Sequence, residues 1–119
     1  MNKILVLIIS ICFQQISFAQ TVPLDSVANY EGKTITVCSK VQSTYVTKGE
    51  KKTTYINFGK PYPNTTFIVV IFEADAAKFK NTPSEFFKDK NVCITGKVKM
   101  YKGKPEIIVN SEAQIKVEQ

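Results

Sequence analysis

The sequence predicts a small, mainly β protein: three strands, a helical segment, then two more strands. Three observations predict it. Short runs rich in Val, Ile, Thr and Tyr alternate apolar and polar residues in steps of two. Gly, Pro and Asn separate those runs. One stretch alone, Glu73 to Phe87, has helical character, and it follows the third run.

Residues 1–19 come first and stand apart. Met1-Asn2-Lys3 is a short positive start, and Ile4 to Phe13 is apolar apart from Ser10. Gln14 to Ala19 then places small residues, Ser17 and Ala19, at the third-last and last positions. This is the layout of a secretory signal peptide with cleavage after Ala19. A membrane anchor needs roughly 20 apolar residues, more than this stretch holds. Ile11 before Cys12 also argues against lipid attachment. The mature part is then residues 20–119, the size of a single domain, expected in the periplasm or outside the cell.

Along residues 20–119 the elements follow in order. Val22 to Tyr30 reads as a helical turn or an irregular lead-in. Thr34 to Val41 is the first strand, with Ile35, Val37 and Val41 on one face and Thr36, Cys38 and Lys40 on the other. Val46 breaks that phase, which predicts a bulge near Gln42 to Thr44. Lys48-Gly49-Glu50-Lys51-Lys52 is a charged loop. Thr53 to Phe58 is the second strand, with Ile56 and Phe58 inward and Tyr55 and Asn57 outward.

Gly59 to Asn64 is a connection stiffened by Pro61 and Pro63. Phe67 to Phe72 is apolar on both faces and reads as a strand covered on both sides. The helical segment falls into two pieces, Ala74 to Phe79 and a restart at Ser84 after Pro83, with Phe86 and Phe87 toward the core. Asn91 to Tyr101 is the fourth strand. Val92, Ile94, Val98 and Met100 point inward, while Cys93, Thr95, Lys97, Lys99 and Tyr101 point outward. Lys102-Gly103 is a two-residue hairpin turn, Lys104 to Asn110 is the fifth strand, and Ala113 to Val117 is a last extended piece.

The composition narrows the function. The chain has no histidine and no arginine. That removes the imidazole base, the Ser-His and Cys-His pairs, and the usual zinc and haem ligand sets. Neither catalysis, nor a cofactor, nor a metal is expected. Residues 20–119 hold 15 lysines against 10 acidic residues, a balance that favours polyanions or simply gives a solvated lysine-rich surface. Without arginine, any reading of nucleic acid rests on charge and stacking and has little sequence preference. Cys38 and Cys93 are an even pair, open to one disulfide or to two buried thiols.

This order of elements resembles the OB-fold, the five-stranded Greek-key barrel. More specifically, the chain resembles small OB modules of exported bacterial proteins, related to the anticodon-binding OB type. The carrying stretches are Tyr30-Glu31-Gly32-Lys33-Thr34-Ile35-Thr36-Val37, Val92-Cys93-Ile94-Thr95-Gly96-Lys97-Val98 and Tyr101-Lys102-Gly103-Lys104-Pro105-Glu106-Ile107-Ile108-Val109. The last has that family's glycine hairpin after strand four and its proline before strand five. The likeness covers residues 27–117.

The resemblance carries several expectations. Strand one lies antiparallel beside strand four, so Cys38 and Cys93, both on outward phases, can form a cross-strand disulfide. Binding occurs across strands two and three, flanked by the loop between strands one and two and by the hairpin between strands four and five. The candidate nucleic-acid-binding residues are therefore Tyr45, Lys48, Lys51, Lys52, Tyr55, Asn57, Lys60, Tyr62, Tyr101, Lys102 and Lys104. Lysines would meet phosphates and tyrosine rings would stack on bases. This arrangement requires the two lysine-bearing hairpins to meet on one rim. The expected function is non-catalytic binding of single-stranded nucleic acid or another polyanion. The alternative is an envelope interaction or stress module that binds a protein or a small ligand.

Overall fold

The computed structural model describes residues 19–119; the signal-peptide reading falls on residues 1–18, outside that range, and on Ala19. No helix among the described residues is long and apolar enough to cross a membrane. Strand β1 (Gln20–Thr21) and a 3-10 helix (Leu24–Tyr30) lead into β2 (Thr34–Val46). Strands β3 (Thr54–Phe58) and β4 (Phe67–Ile71) follow, then two short helices, α1 (Glu73–Ala76) and α2 (Pro83–Phe86). Strands β5 (Asn91–Tyr101) and β6 (Lys104–Ile108), a 3-10 turn (Glu112–Gln114) and β7 (Ile115–Val117) complete the chain.

Strands β2 to β6 close an OB-fold barrel. β2 pairs antiparallel with β3, β3 with β4, β6 with β5, and β5 with β2, while β4 and β6 run parallel. Two long strands make closure possible, because each serves two sheets. The early part of β2 pairs with β5 from Thr34↔Lys97 to Lys40↔Asn91, and its later part pairs with β3. The register shifts between Val41 and Ser43, so the extra residue falls at Gln42, inside the stretch where the broken phase predicts a bulge. The two added strands extend one side: β1 lies parallel to β2 and β7 antiparallel to β5.

Alternation fills the barrel as the sequence implies. Ile35, Val37, Ile56, Phe58, Ile94 and Ile107 are fully or almost fully buried. Phe58 and Phe67 pack with ring centroids 5.4 Å apart. Phe79 and Phe87 reach the same core from the helical segment and meet edge-on at 6.4 Å. Gly96 is a close-approach position, since a Cβ there would lie 2.5 Å from Ile107 Cγ2. The Lys102-Gly103 turn has φ of 48° and 79°, the double positive φ of a type I′ hairpin.

Cys38 and Cys93 stand directly opposite in the β2–β5 register and form a disulfide. Four expectations need correction. Asn57 is on the outward side of β3 but only 5% exposed, so it does not project into solvent. Phe72, read as the covered end of the third strand, lies one residue beyond β4 and is 47% exposed. The first helix ends at Ala76, and the return strand ends at Ile108, after which a Ser111 capping box starts the 3-10 turn Glu112–Gln114.

Candidate nucleic-acid interface

The register decides which candidate residues can act together. Val46 pairs with Thr54 and Thr54 with Ile71, so the loop with Lys48, Lys51 and Lys52 sits at the C-terminal end of β4. Ile68 pairs with Glu106 and Tyr101 with Lys104, so the Lys102-Gly103 hairpin sits at the N-terminal end of β4. The two lysine-bearing hairpins therefore occupy opposite rims, and the single flanked groove expected from the sequence does not form. The reason is topological. Each antiparallel step reverses direction, and the parallel β4–β6 pair brings the start of β6 beside the start of β4.

At the first rim, Tyr45 and Tyr55 face each other across β2 and β3, Tyr45 being 53% exposed and Tyr55 half-buried. Lys48, Lys51 and Lys52 are exposed on the loop above them. Thr47 braces that loop: its Oγ1 accepts from Thr53 N at 2.8 Å, and Thr47 N donates to Thr53 O at 2.9 Å. The Glu73 carboxylate accepts from Lys52 N at 3.3 Å, which puts negative charge at the loop's base.

At the second rim five candidates converge. Tyr62, between Pro61 and Pro63, is 77% exposed, and Tyr101 is 55% exposed. Lys102 Nζ lies 5.4 Å from the centre of the Tyr101 ring. Lys104, the register partner of Tyr101, donates from Nζ to the Pro63 carbonyl and so ties the hairpin to the proline loop. Lys60 is exposed at the start of that loop. Two cation-bearing loops and two open aromatic rings can grip a charged backbone and stack on flat groups.

Between the rims the outer surface carries no candidate cation on β3 or β4. Asn57 spends its amide on Ser43, Nδ2 donating to Oγ at 3.1 Å. Beside it run half-buried Ile68 and then Glu106, which is 9% exposed. Burial raises the Glu106 carboxyl above its ordinary pKa, and the positive charge of Lys99 opposes part of that rise. The stability tied to this group is present below the unfolded carboxylate pKa and is lost as pH rises through the higher folded value. Acidification toward the carboxylate range should therefore stabilise the native chain more than Glu106→Gln. Chemical denaturation of both at neutral and mildly acidic pH checks this; equal responses would refute it.

No protein-family profile matches the chain, and no curated protein matches it. Among solved structures, one described as an aspartyl-tRNA synthetase from Leishmania major Friedlin aligns over 87% of this chain and 22% of its own length. The TM-score is 0.52 and the identity 13%. The likeness is one of fold, and it agrees with the closed OB-like barrel.

Sequence reasoning did not count Phe72, Lys97, Lys99 or Glu106 among its candidates. The outward phase of Lys97 and Lys99 was legible in the alternation of β5. Exposure at Phe72 was not, because an apolar run gives no sign of where its cover ends.

Proposed function

We propose that this chain is a non-catalytic OB-fold binding protein, exported with cleavage of its leader near Ala19, that holds single-stranded nucleic acid or a similar polyanion with little sequence preference. The observation that carries this reading is the second rim, where Lys60, Tyr62, Tyr101, Lys102 and Lys104 come together with both rings open. Lysines there neutralise phosphates, and the tyrosines accept any base, because every base has a π-face. The fold neighbour's name, an aspartyl-tRNA synthetase, is in keeping with a nucleic-acid role for a barrel of this type. Absence of arginine fits binding by charge and stacking over base-edge reading.

Titration of a labelled oligothymidine at several salt concentrations tests it. Log affinity should fall with log salt at a slope near −0.7 for each phosphate neutralised. Tyr62→Ala with Tyr101→Ala should weaken binding by roughly 1–3 kcal/mol for each base that loses its platform. Binding indifferent to both salt and these rings would defeat the proposal.

A second reading rests on the other rim. Tyr45, Tyr55 and exposed Phe72 share the outer side near the Glu73 carboxylate and the loop bearing Lys48, Lys51 and Lys52, a mixed apolar and charged surface suited to an envelope protein. Recovery of one stoichiometric partner whose binding is lost in Phe72→Ser, together with no oligonucleotide binding at low salt, would favour it.

A further inference from the structure

We infer that the bound single strand runs along β5, with Lys97 and Lys99 holding its phosphates, and does not cross the barrel over β3 and β4. This rests on the proposed nucleic-acid reading and gives that site its path. Lys97 and Lys99 lie outward on alternate residues of one strand, roughly 6.8 Å apart along it, and both are exposed. That spacing is comparable to the separation of successive phosphates in an extended single strand. Tyr101 is the next outward residue, and the hairpin beyond it brings Lys102 and Lys104. Basic side chains and an open ring thus continue from the middle of β5 to the tyrosine-bearing rim.

The surface beside the lysines is shaped to receive a chain. Lys97 and Lys99 border a groove shared with Glu31, Ile108, Asn110 and Gln114. Its wall is already fixed. Gln114 Oε1 accepts from Asn110 N at 2.9 Å and from Ser111 N at 3.0 Å, and its Nε2 donates to Thr95 O at 3.1 Å. Gly32 N donates to Val98 O at 2.8 Å and pins the opposite side. A backbone entering here meets a preformed trough whose lining includes Ile108 and Asn110. Preformed walls reduce the ordering that binding must impose.

The alternative path is poor in charge. Between the rims it would meet Val70, Ile68 and Asn57, which offer no cation, with the Asn57 amide already bonded to Ser43. Glu106 lies next to Lys99 on β6, where Lys99 faces its largely buried carboxylate.

The experiment compares three proteins against labelled oligothymidine across a salt series: the native chain, Lys97→Gln with Lys99→Gln, and Lys78→Gln with Lys88→Gln. The last pair removes the same charge from exposed positions on the helical segment, neither of which lines the groove. Unchanged thermal midpoints establish that all three are folded. The β5 pair should make the salt slope shallower by about 1.4, and the control pair should leave it as in the native chain. Native binding with the same slope in both variants, or with the larger change in the control, overturns the β5 path and leaves the proposed function standing. No binding by the native chain at low salt overturns both.

Discussion

Replacing both half-cystines, Cys38→Ala with Cys93→Ala, lowers the melting temperature by about 8–32 °C. The bridge joins strands β2 and β5 across a sequence separation of 55. A cross-link of that span removes about 4 kcal/mol of loop-closure freedom from the unfolded chain in the entropic account, against a typical range of about 2–4 kcal/mol. In a domain of this size each kcal/mol moves the midpoint by roughly 4–8 °C. The native barrel keeps its β2–β5 hydrogen bonds, so the fold survives. The uncrosslinked chain unfolds to a looser ensemble, and its denaturant m value should rise accordingly. A midpoint within about 3 °C of the native protein would show that the bridge contributes little.

The second large effect is at Gly96. An added Cβ would meet Ile107 Cγ2 at 2.5 Å and Gln114 Nε2 at 3.1 Å, and Ile107 is fully buried among residues from every barrel strand. Gly96→Ala should therefore destabilise the domain by about 1–3 kcal/mol through overpacking. Ile107→Ala alone should cost about 2–5 kcal/mol by leaving a void. Together the two should cost clearly less than their sum, because the new methyl occupies part of the space that Ile107 vacates. Urea denaturation of the two single variants and the double variant gives the coupling. Additivity within about 0.5 kcal/mol would show that the close approach is relieved elsewhere.

Both effects fall where the sequence was most readable. The alternation of β5 placed its ends at Asn91 and Tyr101, where the structure has them. The broken phase at Val46 placed the bulge, and the outward phases of Cys38 and Cys93 made their bond possible. The shortest element escaped notice: β1 has two residues, too few for a period to show. The site was less legible than the fold. Which residues are outward follows from parity, but which rim a loop occupies follows from counting reversals along the whole chain. Lys51 and Lys102 resemble each other as sequence and lie at opposite ends of β4. Asn57 shows a further limit, since an outward residue can be covered by its neighbours and spent on one of them.

The closing of the barrel by β2 against β5 also sets the order in which it can assemble. β2, β3 and β4 form a meander of neighbouring hairpins that can pair as soon as they exist, whereas Thr34 must wait for Lys97 to arrive. Bringing such distant residues together is slow, on the order of milliseconds to seconds for barrels rich in remote pairings. Until then the apolar edge of β4 has no β6 to cover it, and the unfinished chain is at its most vulnerable to clumping. The last third of the polypeptide is thus the rate-setting part of its own folding.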